Sequence, residues 1–329
     1  MKRIGVLGGG SWGTALAMVL CDNKHDVKVW LRDEAQYNDI KTTRINNKYL
    51  PNVILPESLY FTTSFEEALK DSEIILNTIP TQKIREVFRK IPKEYITDKI
   101  IINCSKGIEL GTHSLISDII KEESVNCDYV MLSGPSHAEE VSLKMPTAVV
   151  AASDNEEAAR LAQDLFMTSF LRVYTNGDVK GVEIGGALKN IIALGAGISD
   201  GVGFGDNAKA ALMTRGVLEI SRLGMCLGAD FATFQGLSGI GDLIATCTSK
   251  HSRNRNAGFL IGQGKKKDEA IKEIGMVVEG ITTTFAAYEL AKENNVDMPI
   301  VNAMYDVLEN SADVKETVTK LMLREKKDE

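Results

Sequence analysis

The 329-residue chain has no C-x-x-C pair: its five cysteines, Cys21, Cys104, Cys127, Cys226 and Cys247, are scattered. The four histidines, His25, His113, His137 and His251, are equally dispersed. Neither a zinc site nor a disulfide framework is indicated, so no metal is expected and the thiols are expected to be reduced. An excess of positive charge is also missing. A formal net charge of -7 argues against general affinity for nucleic acid or anionic membrane. It leaves open a local basic cleft for a small anion. Apolar runs look too short to cross a bilayer, so no stable membrane insertion is expected. Met1-Lys2-Arg3 leads directly into a strand-like run, without the apolar segment or cleavage site of a signal peptide. A cytoplasmic location is the expectation. Internal repeats and low-complexity segments are lacking too, and the charged end at 324–329 reads as a frayed tail.

What remains is a soluble composition, 44% hydrophobic and 25% charged, long enough for two domains with a core each. The first half alternates β-branched runs with helix-like segments. Strands are expected at 3–7, 27–31, 74–79, 100–104, 130–132, 148–151 and 172–174. Ser64-Phe65-Glu66-Glu67 reads as a capping box, and Asn155-Glu156-Glu157 opens another helix. This alternation indicates a parallel sheet covered by helices. After about Gly181 the strand signals largely vanish, and helices are expected at 182–198, 207–223, 282–294 and 300–309. The glycine-punctuated stretch 236–264 reads as a polar loop between them. The fold class is therefore an α/β Rossmann-type parallel-sheet domain (1–180) followed by a mostly α-helical domain (181–329).

The clearest motif is Gly8-Gly9-Gly10-Ser11-Trp12-Gly13, a G-x-G-x-x-G between an N-terminal strand and a helix-like segment. Gly8 permits the tight turn, Gly10 lets backbone approach a pyrophosphate, and Gly13 allows close packing of helix on strand. N–H groups at the helix start then meet the phosphate charge. At the end of the second strand an acid would hold the ribose of NAD, and an arginine would accept the 2′-phosphate of NADP. Arg32-Asp33 offers both, with a solvated surface charge as the bland alternative for Arg32. NADP or NAD is expected, with NADPH favoured.

Polar groups for a substrate follow other strands. Asn103-Cys104-Ser105-Lys106-Gly107 ends one, and Ser133-Gly134-Pro135-Ser136-His137-Ala138 ends another. Ordinary turns explain each equally well in isolation. In the helical half, Lys189 lies among apolar and small residues in Gly186-Ala187-Leu188-Lys189-Asn190, where it is either buried or snorkelling to water. Gly239-Ile240-Gly241-Asp242 and Ser252-Arg253-Asn254-Arg255 suit a small phosphorylated ligand, or else a solvated loop.

Taken as an ordered set, GGGSWGTALA, SKGIE, SGPSHAEEV, GGALKNIIAL, GIGDLIATCTS, SRNR and Val278-Glu279-Gly280 closely resemble bacterial NAD(P)-dependent glycerol-3-phosphate dehydrogenase. The resemblance spans nearly the whole chain. One departure is His137, where phenylalanine is also common in the family. The resemblance implies Lys189 as catalytic proton donor and acceptor. It implies Lys106, Gly134, Ser136, Lys189, Asp242, Ser252, Arg253 and Asn254 around glycerol 3-phosphate, with Lys106 and Arg253 also touching the cofactor. Ser11, Trp12, Arg32, Ala138, Val277 and Glu279 match cofactor positions, and Tyr49 matches less closely. It further implies a homodimer, a cytoplasmic enzyme and a role in building the phospholipid backbone.

The chemistry is coherent. Reducing a ketone needs a hydride at carbon and a proton at the developing alkoxide, and an ammonium serves the second need. Burial and the like charge of Lys106 would lower the pKa of Lys189, while a substrate phosphate would oppose that. Two rivals stay open on sequence alone: a dehydrogenase of 3-hydroxy acids or acyl thioesters, and an NAD(P)H-sensing regulator that turns nothing over.

Overall fold

The computed structural model describes residues 1–326; the last three residues of the charged end lie outside them. Contacts divide the chain into two compact units, one formed by Met1–Lys106 and Leu115–Glu183, the other by Gly107–Ser114 and Ile184–Glu329.

The first unit is built on an eight-stranded sheet. Its strands are β1 (Arg3–Leu7), β2 (Asp26–Trp30), β5 (Tyr60–Thr62), β6 (Ile74–Asn77), β7 (Ile100–Asn103), β8 (Asp128–Ser133), β9 (Thr147–Ala152) and β10 (Leu171–Asn176), while β3 (Ile45–Asn46) and β4 (Leu50–Ile54) pair separately. The order is β10-β9-β8-β7-β6-β1-β2-β5. The buried runs of β1, β6 and β7 are almost wholly Ile, Val and Leu, as expected of strands covered on both faces. Their register aligns Trp30, Leu7, Asn77 and Asn103, so the turns that follow these strands leave from one edge of the sheet.

All seven expected strands are present within two residues of their expected ends. Two features differ. The sheet is not wholly parallel, because β8 and β9 run antiparallel: the short helix Ala138–Ser142 between them returns the chain without a full crossover. The short strands β3, β4 and β5 carry too little periodicity to be seen in the sequence. At the expected capping box, Ser64 accepts from Glu67 N–H, but the Glu67 carboxylate turns to Thr62 Oγ1, so only half the box forms. Asn155 caps its helix as expected.

The second unit is helical. Helix Val179–Val202 begins in the first unit and carries Lys189 in the second. By length and composition it is apolar enough to cross a membrane (mean hydropathy 1.2), contrary to the expectation from run length, yet its most apolar window is entirely buried in the fold. The stretch 236–264 is not a loop. It contains a wide turn at Leu237–Gly241 and helices Asp242–Thr248 and Arg253–Gly262. Its glycines serve packing: a Cβ on Gly258 would lie 2.0 Å from Leu194 O, and one on Gly197 would lie 1.9 Å from Arg255 O. Two helices with glycines four apart, Gly197/Gly201 and Gly258/Gly262, thus meet backbone against backbone. Arg324 is not frayed but pairs with Asp297 at 2.9 Å.

Candidate active site

Three of the expected glycines in the first unit shape the turn after β1. Gly8 adopts φ +104, and its N–H donates to Trp30 O. A Cβ on Gly13 would sit 2.1 Å from Gly8 O, so helix Ser11–Asp22 can start here only with glycine. A Cβ on Gly10 meets nothing within 4 Å, which leaves the open approach that a pyrophosphate needs. The turn therefore fits a dinucleotide. Ser11 donates to the Tyr49 carbonyl at 2.6 Å, which fastens the Tyr49 segment to the helix start, and Trp12 packs half-buried on the core.

Arg32 is exposed just past β2. Asp33 caps helix Glu34–Thr43, its Oδ1 accepting from Ala35 and Gln36 N–H groups. That use satisfies otherwise orphaned donors at a helix start.

Lys106 and Ser136 converge on one carbonyl. Lys106 Nζ donates to Gly134 O at 3.1 Å and Ser136 Oγ donates to it at 3.0 Å. Gly134 has φ +139, and a Cβ there would be 2.9 Å from Val149 Cα, so glycine is required. Ala138 is buried at the start of its short helix. The turn carrying Lys106 is held from below by Asn103, which bonds both the N–H and the carbonyl of Ser105 and donates to Tyr129 Oη. Tyr129 donates in turn to Glu183 at 2.6 Å, and Ser117 donates twice to the same carboxylate. Burial pushes Glu183 up to about 7, opposed by these donors.

The second unit holds a buried ion pair. Lys189 Nζ lies 2.5 Å from Asp242 Oδ1, with side chains 8% and 3% exposed, and it donates to Thr246 Oγ1 at 2.7 Å. Thr246 donates to the Asp242 carbonyl. Gly185 permits this meeting, since a Cβ there would press to 2.8 Å from Ser238 O in the turn leading to Asp242. Lys189 is therefore buried, not snorkelling. Nearby, Asn254 Nδ2 donates to Asn190 Oδ1 and Asn254 Oδ1 accepts from Gly280 N–H, so Asn254 bridges two helices. Ser252 caps helix Arg253–Gly262 through Arg255 N–H, while Arg253 is exposed. Val277 is exposed and Glu279 half-buried at the start of helix Glu279–Glu293.

A buried ammonium held by a carboxylate and a hydroxyl can stabilise a developing oxyanion and pass it a proton. Sequence reading placed Thr246 in the polar stretch after Asp242 and Asn190 beside Lys189 but gave neither a role in these clusters. The signals were present: Thr246 is four residues beyond Asp242, the spacing of one helix face, and Asn190 adjoins Lys189.

Residues 3–159 match the family described as NAD-dependent glycerol-3-phosphate dehydrogenase N-terminus, and residues 178–319 match its C-terminus. A glycerol-3-phosphate dehydrogenase [NAD(P)+] of Geobacillus kaustophilus is 55% identical, covering 100% of this chain and 96% of its own. One from Bacillus mycoides is 55% identical, covering 100% and 98%. A crystal structure of the Coxiella burnetii glycerol-3-phosphate dehydrogenase superposes with a TM-score of 0.93 at 35% identity, covering 98% of this chain and 99% of that one.

Proposed function

The chain belongs to the NAD-dependent glycerol-3-phosphate dehydrogenase family, and from that premise we propose how its residues divide the work. It is an oxidoreductase that reduces dihydroxyacetone phosphate to sn-glycerol 3-phosphate with NAD(P)H. The bound nicotinamide supplies the hydride. Gly8, Gly10 and Gly13 shape the turn for its pyrophosphate, and Ser11 and Trp12 open the helix whose N–H groups face that charge. Arg32 reads the 2′-phosphate of NADPH. Asp33, exposed next to Arg32, caps the following helix through Oδ1 alone and remains a candidate for the ribose; NADPH is favoured on the strength of Arg32. Tyr49, Ala138, Val277 and Glu279 complete the cofactor contacts.

Lys189 donates the proton to the carbonyl oxygen as it becomes an alkoxide and takes it back in the reverse reaction. The observation that carries this role is its burial against Asp242 and Thr246, which fixes the amine in place and balances its charge. Lys106, Gly134, Ser136, Asp242, Ser252, Arg253 and Asn254 hold the substrate, with Lys106 and Arg253 also contacting the cofactor. The enzyme works in the cytoplasm as a homodimer and feeds phospholipid synthesis.

Initial rates with NADPH and with NADH test the reading. Dihydroxyacetone phosphate should be reduced readily and unphosphorylated dihydroxyacetone only feebly. Equal rates on the two would overturn the phosphate-reading role of Arg253 and its neighbours. Turnover of 3-hydroxy acids in preference to both would favour the rival dehydrogenase.

A further inference from the structure

Gly9 occupies a position that the G-x-G-x-x-G pattern leaves unspecified, yet the fold constrains it from two sides. A Cβ there would lie 2.1 Å from Leu31 Cδ2. Its carbonyl accepts from Gln36 Nε2 at 2.6 Å and from Asn46 Nδ2 at 2.9 Å. Asn46 is fully buried. Its amide also donates to Thr14 Oγ1 at 2.8 Å, and its oxygen accepts from Gln36 at 3.2 Å. Thr14 lies in the first turn of the helix that follows the glycines. The chain near Asn46 is fastened to the same helix a second time, through the Ser11 hydroxyl on the Tyr49 carbonyl.

A run of three glycines has more backbone freedom than any other tripeptide, and a ligand that needs one arrangement of its N–H groups must overcome that freedom. The peptide between Gly9 and Gly10 is trans, so its C=O and N–H point in opposite directions. Holding the Gly9 oxygen with two donors therefore aims the Gly10 N–H away from the Gln36–Asn46 cluster. The Cβ side of Gly10 is open.

We propose that Asn46 and Gln36 are positioning residues for the dinucleotide, locking the Gly9–Gly10 peptide so that the N–H groups opening helix Ser11–Asp22 receive the pyrophosphate without rearrangement. The inference rests on the assignment of the cofactor to this turn. Because the pyrophosphate is common to both cofactors, Asn46 and Gln36 act equally on NADH and NADPH, whereas Arg32 distinguishes them.

The test measures dissociation constants for NADH and NADPH on the full chain, together with steady-state KM and kcat and thermal unfolding. Gln36→Met keeps the side-chain volume at a half-buried position and removes one donor. It should weaken both cofactors by the same factor, roughly 3- to 10-fold, the range that one net hydrogen bond supplies. Asn46→Leu should weaken both further, and in each variant the change should fall on cofactor KM rather than on kcat. Gly10→Val controls for the assignment, since its side chain meets open space in the fold but blocks a ligand. Normal binding by Gly10→Val would remove the cofactor from this turn, and the inference with it. Lost binding in Gly10→Val with unchanged affinities in Gln36→Met and Asn46→Leu would overturn the inference alone, as would a change confined to one cofactor. If Asn46→Leu fails to fold, Gln36→Met decides.

Discussion

Separating Lys189 from Asp242 should expose how far each depends on the other. At 2.5 Å, the mutual attraction is roughly 6–7 kcal/mol for an effective dielectric constant of about 20. Much of that is offset by taking two ions out of water, several kcal/mol for each. The net worth of the pair is therefore small, but breaking it from one side is not, because the remaining charge stays buried and uncompensated. Lys189→Met and Asp242→Asn should each lower unfolding free energy by about 3–5 kcal/mol. The double variant strands neither charge and should recover about 2–3 kcal/mol relative to the sum of the singles. Urea unfolding of the four proteins gives the stabilities, and NADPH absorbance gives the rates. Activity should not return with stability: both variants that lack Lys189 should stay at least roughly 10²-fold below wild type in kcat. Strictly additive stability losses would refute the claim that the two charges compensate each other. A double variant with restored activity would remove Lys189 from the chemistry.

Arg32→Ala should weaken NADPH roughly 10- to 100-fold, the worth of a hydrogen bond to a charged group, and leave NADH little changed; equal effects on both would mean that Arg32 stacks on the adenine instead of reading the 2′-phosphate. Glu219, 3% exposed, accepts from the N–H groups of Ile300 and Val301, and burial lifts its pKa to about 7. A carboxyl raised on folding binds its proton more tightly in the folded state, so its stabilisation is complete below about pH 4.5 and is lost as pH climbs to about 7, roughly 3 kcal/mol in all. Glu219→Gln should flatten the decline in unfolding free energy between pH 5 and 8, and an unchanged slope would show that Glu219 does not titrate there.

The sheet was readable because its strands are short β-branched runs buried on both faces, a pattern that helices and loops seldom produce. The four long helices expected after Gly181 were readable by their length and periodicity, whereas the shorter Lys267–Ile274 and Val314–Met322 were not named. Glycine misled at 236–264. Gly258 and Gly262 look like chain breakers in sequence, but they are the points where one helix backbone rests on another. Within the site, side chains next to recognised motifs were easy to name, and those that support them from a distance were not. Asn46 lies 37 residues from the Gly9 carbonyl it holds, and Tyr129 lies 54 residues before Glu183. Periodicity carries no record of such pairs. Asp33 fell between two patterns. Its place before Glu34-Ala35-Gln36 is that of a helix cap, which the fold shows, and its place after a second strand is that of a ribose ligand, which its other carboxylate oxygen could still serve.

The proposed role of Lys189 is to supply the proton for reduction of dihydroxyacetone phosphate. Its most direct test is kcat of Lys189→Ala at saturating dihydroxyacetone phosphate and NADPH, measured beside the NADPH dissociation constant of the same protein. A fall in kcat of roughly 10²–10⁴-fold is expected, with cofactor affinity retained. A kcat near wild type, or a loss of cofactor affinity as large as the loss of rate, would contradict it.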